Sequence, residues 1–298
     1  MQPSYLNSVN HYENFPVASF LLPRKIRKTV KPFYTFARTA DDIADCGDLN
    51  TETKIHLLNM FRNEITMSKN CNEAQNAMET NIKEISKRLV AVLEEYDIDP
   101  YSVCDLLKAF EADSMFGPFS TWSAVLNYCS YSANPVGRFL LAILGLNTKI
   151  QGEDKAEFTE LSDKICTGLQ LINFAQDIKE DAENNRCYVP KCEWPESLEE
   201  KNIISVLRLT GEKKNKLVMK LAAKGEQNLL TGSLLPNKIR KSNLRHATRF
   251  SMEIALIIEC GKNIVQQIKK DPSIVWNQPP KLEIRKLPIF LYNAILNI

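Results

Sequence analysis

Apolar residues recur at three- and four-residue spacing through most of this 298-residue sequence, in which only 10 residues are glycine. Such spacing gives a helix one apolar face, and the alternation that is typical of strands is hard to find. We therefore predict an all-α fold. The predicted helices are 24–45, 51–67, 73–95, 100–115, 120–131, 135–145, 154–181, 199–229, 234–269 and 284–296.

No repeat of solenoid length and no low-complexity linker divides the chain, so we predict a single domain over residues 1–298. The 44% of hydrophobic residues can form a large core, and 38 Lys and Arg against 36 Asp and Glu leave a net charge of +2. Proteins that bind the phosphate backbone of nucleic acids usually carry a clear basic excess. We therefore expect no nucleic-acid partner.

The cysteines and the ends of the chain bear on location. The eight cysteines form no C-x-x-C pair, and no apolar signal peptide precedes them. No apolar run approaches the roughly 20 residues that cross a bilayer. We expect reduced thiols and a cytoplasmic protein. The basic cluster at 24–28 and the apolar segment at 287–298 could touch the inner membrane surface, or could be a solvated face and a packed helix.

A row of polar residues lies on one face of the first predicted helix. At about 100° per residue, Tyr34, Arg38, Asp41 and Asp45 fall within a sector of roughly 60°, with Asp42 at its edge. Like charges four residues apart repel by about 0.2–0.5 kcal/mol on an exposed helix. A positive partner is therefore expected beside this row.

A second polar row follows, in which Gln170, Asn173, Asp177 and Asp181 share a similarly narrow sector. Mg²⁺ prefers oxygen ligands, keeps several waters and is usually held by one or two carboxylates together with substrate phosphates. Two facing rows could hold several Mg²⁺ ions, which would make a diphosphate a leaving group. A solvated helix face explains one such row as well, but two rows favour the metal. The three scattered histidines do not suggest zinc.

Around these rows the sequence resembles the squalene/phytoene synthase family, over about residues 10–290. The segments that carry the resemblance are HYEN at 11–14, LLP at 21–23, residues 34–45, YCSYSANPVGR at 128–138, residues 168–181 and NRCYVP at 185–190. Within the family, residues 11–19, 37–45 and 132–138 look most like the bacterial hydroxysqualene synthases. The resemblance implies an isoprenoid-synthase bundle of antiparallel helices around a deep apolar cavity, with the aspartates at its mouth.

The resemblance also implies roles for individual residues. The implied catalytic residues are Tyr34, Arg38, Asp41, Asp45, Asp177 and Asp181. The implied Mg²⁺ ligands are Asp41, Asp45, Asn173, Asp177 and Asp181. The implied substrate-binding residues are His11, Asn14, Phe15, Tyr131, Asn134, Arg138, Gln170, Arg186 and Tyr188. The candidate aromatic wall of the cavity is Phe15, Phe33, Phe36, Tyr131 and Phe174, although plain core packing explains each of these rings as well.

The implied reaction is Mg²⁺-dependent ionisation of presqualene diphosphate, rearrangement of the cation and capture by water to give hydroxysqualene, in squalene and hopanoid biosynthesis. Tyr34, Tyr131 or Asn134 could position the water. No NADPH is expected for this reaction. The expected partners are a prenyl or presqualene diphosphate substrate and neighbouring enzymes of the pathway.

Three alternatives are open. A family member could instead condense two prenyl diphosphates to presqualene diphosphate, squalene or phytoene, but Gln176 stands where several condensing relatives carry Arg. A terpene cyclase usually has a different second metal motif. A non-catalytic assembly factor of the same family would be expected to have eroded aspartate motifs, whereas both are intact here.

Overall fold

The computed structural model describes residues 21–67, 76–198, 202–282 and 284–296. Within these ranges the regular elements are all helical, which confirms the predicted class. The α-helices are α1 (Arg24–Asp45), α2 (Thr51–Thr66), α3 (Ala77–Glu95), α4 (Pro100–Asp113), α5 (Trp122–Ser132), α6 (Asn134–Ile143), α7 (Leu146–Lys149), α8 (Gly152–Gln176), α9 (Ile178–Glu183), α10 (Gly211–Gly232), α11 (Leu235–Lys241), α12 (Ala247–Lys270), α13 (Ile274–Asn277) and α14 (Leu287–Leu296). Short 3₁₀ segments occur at Lys191–Glu193, Ile203–Arg208 and Ile284–Lys286.

Helix α1 has the predicted bounds, and its apolar face fixes how it lies in the protein. The ring of Phe36 meets that of Phe61 on α2 edge to face, with centroids 5.3 Å apart. The ring of Phe33 stacks on that of Phe139 on α6 at 4.1 Å. Aromatic pairs in these geometries add to the stabilisation that burial gives. These contacts set the rotation of α1 about its axis, and therefore the direction of its acidic face.

Glycine residues let α10 approach α8 and α12 closely. A Cβ atom on Gly168 of α8 would lie 2.9 Å from the carbonyl oxygen of Gly225 on α10. A Cβ atom on Gly261 of α12 would lie 2.8 Å from Cδ1 of Leu229 on α10. At Gly168 two of the neighbouring atoms belong to the backbone, so only a residue without a Cβ allows this separation. Helix α8, which ends at the second acidic row, is therefore held firmly against its neighbours.

The single predicted helix 154–181 is wrong, because the helix is interrupted at Asp177, where φ is −96° and ψ is 5°. The amide of Asp177 still donates to the carbonyl of Asn173, and that of Asp181 to the carbonyl of Asp177, both at 2.8 Å. These bonds preserve the four-residue spacing across the interruption. The polar row at the end of α8 therefore continues onto α9.

Two other predicted helices also differ from the structure. The predicted helix 234–269 is divided into α11 and α12 by a turn in which His246 has a left-handed backbone with φ 55°. The segment predicted as one helix over 199–229 instead contains the 3₁₀ segment Ile203–Arg208, and α10 begins only at Gly211.

Helix α14 lies against α12 and has one uncovered face. It buries Phe290 and Ala294, while the side chains of Ile289, Tyr292 and Ile295 are 58%, 63% and 49% exposed. No residue of this helix is charged. Among the described residues, no helix is long and apolar enough to cross a membrane.

Candidate active site

The aspartates of the first acidic row lie in the last two turns of α1, and two neighbouring carboxylates there pair with the same guanidinium group, that of Arg38. Arg38 donates from Nη1 to Oδ2 of Asp41 at 3.0 Å, and its Nη2 lies 2.9 Å from Oδ1 of Asp42. Its Nε is buried without a hydrogen-bond partner. Burial, together with the neighbouring Asp45 carboxylate, raises the pKa of Asp41 to about 7. Arg38 therefore contacts two carboxylates, and its Nε–H has no acceptor.

A pocket of about 360 Å³ lies between α1 and α3. Tyr34, Arg38 and Asp42 line its α1 side, and neither Asp41 nor Asp45 is among its described lining residues. The predicted polar face of α1 is thus divided. Tyr34 faces this pocket, and Arg38 reaches from the pocket to the carboxylate of Asp41.

The second acidic row combines burial with like charge. Burial, and then the charge of Glu180, raise the pKa of Asp177 to about 6. Burial, and then the charge of Asp177, raise the pKa of Asp181 to about 8. A cation nearby would lower both pKa values. Asn173 lies one helical turn before Asp177, as predicted.

The segment that follows α9 connects the two rows. Nη2 of Arg186 lies 2.9 Å from Oδ1 of Asp45, across 141 positions of sequence. The backbone amide of Arg186 donates to the carbonyl of Asp181 at 2.7 Å, and the charge of its side chain favours the ionised form of Asp181. Arg186 therefore contacts Asp45 of the first row through its side chain and Asp181 of the second row through its backbone.

Asp113, the last residue of α4, lies beside both rows and was missed in the sequence analysis. Its Oδ2 accepts a hydrogen bond from the hydroxyl of Tyr128 at 2.7 Å, and its Oδ1 accepts one from Tyr188 at 3.5 Å. Burial raises the pKa of Asp113 to about 6, and its charge in turn raises the pKa values of Asp41 and Asp181. An aspartate at a helix C-terminus is unfavourable with respect to the helix dipole. This unusual position is the sequence signal that could have identified Asp113 as a candidate site residue.

An aromatic cluster surrounds these hydroxyl groups. The rings of Phe174 and Tyr188 stack in parallel with centroids 3.7 Å apart, and the ring of Tyr128 lies 5.7 Å from that of Tyr188. Phe116 and Phe119 complete the cluster. Tyr128 is the first residue of the segment YCSYSANPVGR at 128–138. That segment contains two tyrosines, and the sequence prediction named Tyr131 but not Tyr128.

The other predicted aromatic and amide residues contact residues outside the acidic rows and the aromatic cluster. Phe33 and Phe36 belong to the packing of α1 described above. The ring of Tyr131 lies 5.8 Å from Nζ of Lys108, and the buried Oδ1 of Asn134 accepts a hydrogen bond from Thr167 at 3.0 Å. The latter bond joins α6 to α8. Roles for Tyr131 and Asn134 at the substrate stay predictions.

Arg138 also joins α6 to α8, through two hydrogen bonds of 3.0 and 2.6 Å to the carboxylate of Asp163. Its predicted role in substrate binding, like that of the half-buried Gln170 on α8, is not tested by these contacts. The N-terminal residues predicted at the substrate lie outside the described residues, and they are His11, Asn14 and Phe15.

In the described parts of the chain, no group of three or more His, Cys, Asp or Glu side chains is placed to hold a metal ion by itself. The carboxylates on α1 and α9 therefore do not form a closed protein cage. A Mg²⁺ site does not require one, because Mg²⁺ is usually bound through one or two carboxylates, waters and substrate oxygens.

Comparison with known proteins identifies the class. Residues 9–285 match the family model of squalene/phytoene synthase, and the chain belongs to this family. Among curated relatives, the hydroxysqualene synthase of Sinorhizobium fredii is 32% identical over 273 residues, which cover 89% of this chain and 83% of that protein. The hydroxysqualene synthase of Zymomonas mobilis is 31% identical over 87% of this chain and 80% of that protein. The protein is a hydroxysqualene synthase-like enzyme of the family.

Solved structures agree on the fold. The squalene synthase HpnC from Alicyclobacillus acidocaldarius superposes with a TM-score of 0.68 at 23% identity, covering 87% of this chain and 89% of that one. A dehydrosqualene synthase superposes with the same TM-score of 0.68 at 18% identity, covering 93% of this chain and 88% of that one. These matches confirm the isoprenoid-synthase-like helical fold.

Proposed function

We propose that this enzyme converts presqualene diphosphate and water to hydroxysqualene and diphosphate. In this reaction the carbon–oxygen bond to diphosphate breaks and the diphosphate leaves with the electron pair. The cation then rearranges, and the oxygen of water bonds to it and releases a proton. The observation that carries the proposal is the Arg186–Asp45 ion pair, because it joins the two acidic motifs of a chain whose curated relatives include hydroxysqualene synthases.

Arg38 and Arg186 would bind the diphosphate. Arginine pairs with phosphate oxygens through directed, charge-assisted hydrogen bonds. The buried Nε of Arg38 has no partner, and both guanidinium groups pair with carboxylates that a cation could take over. Substrate binding would therefore transfer these two arginines from carboxylate to diphosphate oxygens.

The donor set fits Mg²⁺, the metal that the family typically uses. The carboxylates are hard oxygen ligands, and burial and mutual repulsion raise the pKa values of Asp41 and Asp181. When bound, Mg²⁺ would neutralise the diphosphate and improve it as a leaving group. The proposed ligands are Asp41, Asp45, Asn173, Asp177 and Asp181.

The aromatic cluster would serve the cation once diphosphate has left. The face of an aromatic ring attracts positive charge without acting as a nucleophile, and the parallel rings of Phe174 and Tyr188 lie next to the acidic motifs in sequence and space. We place them at the mouth of a deep apolar cavity within one antiparallel bundle formed by the whole chain. Exclusion of bulk water from this cavity would delay capture until the carbon skeleton has rearranged.

Gln176 favours rearrangement over condensation of two prenyl diphosphates. Its side chain is buried, and its Nε2 donates to the carbonyl of Pro280 at 2.6 Å. The neutral amide is thus engaged with the backbone, at a position where several condensing relatives carry an arginine. A second diphosphate would lack that positive contact.

Product analysis tests this function directly. The purified protein is incubated with Mg²⁺ and presqualene, farnesyl or geranylgeranyl diphosphate, with and without NADPH, and the products are identified by mass spectrometry. We expect hydroxysqualene from presqualene diphosphate alone, independent of NADPH. Squalene formed only with NADPH would change the product assignment, and turnover of farnesyl diphosphate alone would support the condensing alternative. No turnover of presqualene diphosphate would refute the proposal.

We further propose a cytoplasmic enzyme whose α14 touches an anionic membrane surface. The exposed face of α14 presents Ile289, Tyr292 and Ile295, and the exposed Lys281 and Arg285 lie just before it. An apolar helix face beside basic residues suits the boundary between acyl chains and anionic headgroups. Contact there would bring a triterpene product close to lipid.

Vesicle flotation tests this contact. The unmodified protein should float with vesicles that contain anionic lipid and bind neutral vesicles less, and the Ile289→Glu/Tyr292→Glu variant should lose binding. The control is Tyr101→Glu, which places one of these two added negative charges at a side chain that is 67% exposed on α4. Equal flotation of all three proteins would contradict the proposal, as would a dimer that Ile289→Glu/Tyr292→Glu dissociates.

A further inference from the structure

We propose that Asp113 is a positioning residue, which holds the hydroxyl groups of Tyr128 and Tyr188 and thereby fixes the segment that carries Arg186 against the first acidic motif. The kinetic part of this inference rests on the proposed function. The structural part rests on the contacts alone.

The geometry joins three separate elements at one carboxylate. Asp113 ends α4, Tyr128 lies in α5, and Tyr188 lies in the segment after α9. Oδ2 accepts from Tyr128 at 2.7 Å and Oδ1 from Tyr188 at 3.5 Å, so each carboxylate oxygen has its own tyrosine. Both tyrosines are almost fully buried, at 5% and 6% exposure. Buried hydroxyl groups require a partner, and Asp113 supplies it.

The direction of these bonds has a chemical effect. An ionised carboxylate only accepts hydrogen bonds, whereas a phenol both donates and accepts. The hydroxyl of Tyr128 donates to Asp113 at 2.7 Å and that of Tyr188 at 3.5 Å, and the two hydroxyl groups also interact with each other. Each phenol oxygen keeps its lone pairs for other donors, such as a guanidinium group or a water molecule. Asp113 thus sets the polarity of two hydroxyl groups beside the acidic motifs.

The same contacts position Arg186. Tyr188 is held on one side by Asp113 and on the other by its parallel stack on Phe174 of α8. Arg186 lies only two residues earlier and reaches Asp45 at 2.9 Å. A shift of Tyr188 would therefore move the one described residue that is ion-paired across the two acidic motifs.

Asp113→Asn is the sharpest test, because it keeps the size of the side chain and replaces one acceptor with a donor. We expect kcat for presqualene diphosphate to fall by about 10–100-fold, the range found when groups that orient the ligands of an active site are replaced, with little change in KM. The melting temperature should stay close to that of the unmodified protein. Asp105→Asn is the matched control, because it makes the same substitution on α4 in a residue paired with Lys108.

A combined variant separates positioning from direct action. In a Tyr128→Phe/Tyr188→Phe background, adding Asp113→Asn should lower kcat by less than about twofold, because the hydroxyl groups through which Asp113 acts are gone. The full loss in that background would show that Asp113 acts directly, for example on a metal, and would overturn the inference. Unchanged kcat in Asp113→Asn alone would also overturn it.

Hydrogen exchange gives a readout that does not depend on the substrate. Amides at 186–189 should exchange faster in Asp113→Asn than in the unmodified protein and in Asp105→Asn. If the unmodified protein leaves presqualene diphosphate intact but this acceleration occurs, the proposed function fails while the positioning role stands. Unchanged exchange at 186–189 would refute the positioning role whatever the enzyme activity.

Discussion

The acidic region between α1 and α9 and the glycine interface between α8 and α10 follow opposite physical rules. In the acidic region, side chains of like charge are held close together, and burial raises the pKa values of Asp41, Asp177 and Asp181. In the interface, glycine residues face each other, and the backbones of Gly168 and Gly225 come close enough to exclude even a Cβ atom. The acidic region is destabilised by repulsion between like charges, whereas the glycine interface is stabilised by close packing.

Helix α8 belongs to both regions. Its close packing against α10 offsets the repulsion between the carboxylates near its end. Its middle is held by the contact of Gly168 with α10, and it ends next to Asp177 in the acidic region. Strained or repelling groups persist where the surrounding structure determines their position. The comparison therefore predicts that changes in the acidic region affect turnover, whereas changes in the interface affect stability.

The largest effect is expected when the first or second acidic row loses a carboxylate. Asp41→Asn or Asp177→Asn should reduce turnover by at least about 10²–10³-fold, as expected when a principal electrostatic contact to the transition state is removed. The helical circular dichroism spectrum should be unchanged, and the melting temperature should be equal or higher, because a repelling charge is removed. The control is Asp105→Asn. Retained activity in both variants would count against the metal model.

A smaller effect, and one on stability, is expected at the interface. Gly168→Ala should lower the free energy of unfolding by about 1–3 kcal/mol, because the added Cβ would lie 2.9 Å from backbone atoms of α10. Gly47→Ala is the control, since no atom lies within 4 Å of its Cβ position, and it should change stability by less than about 0.5 kcal/mol. Urea denaturation measures both. Equal stability of the two variants would mean that α8 and α10 are not closely packed.

The smallest effect concerns pH. Because the folded pKa values of Asp41, Asp177 and Asp181 lie at about 7, 6 and 8, above the ordinary value near 3.9, the folded state binds more protons than the unfolded state. Without metal, stability should therefore fall as pH rises from about 4 to about 8. Mg²⁺ should oppose this loss, since it replaces the protons.

Melting temperatures at pH 5.5 and pH 8, with and without Mg²⁺, measure this effect. The increase caused by Mg²⁺ should be larger at pH 8, by about 1.5–2 °C for each 1 kcal/mol of additional stabilisation. In Asp181→Asn the dependence on pH should become flatter. An increase of the same size at both pH values would show that the raised pKa values do not belong to the metal site.

Helix bounds were predicted well where apolar spacing, glycine or proline marks them in the sequence. The bounds of α1 followed from its apolar spacing and the glycine that comes after it. The interruptions at Asp177 and at His246 were missed, because neither has a glycine or proline to mark it. His246 adopts φ 55°, a conformation that is uncommon for a residue with a side chain, so tertiary contacts must hold it.

The same distinction applies to the site. The first acidic row lies on one helix and the second keeps its four-residue spacing across the interruption at Asp177, so the spacing of each could be derived from 100° per residue. Asp113 meets Tyr128 and Tyr188 across 15 and 75 positions of sequence. No helical period relates such positions, and only the packing of α4, α5 and the segment after α9 brings them together.

The Arg186–Asp45 ion pair also makes the two proposed ligands interdependent. A diphosphate that binds Arg186 leaves Asp45 without its counter-ion, and a cation that binds Asp45 releases Arg186. Each ligand therefore removes part of the energetic penalty that the other meets. Since linkage is reciprocal, Mg²⁺ must raise the affinity for diphosphate by the same factor as diphosphate raises the affinity for Mg²⁺. One surface contact thus favours a site that fills with both ligands together.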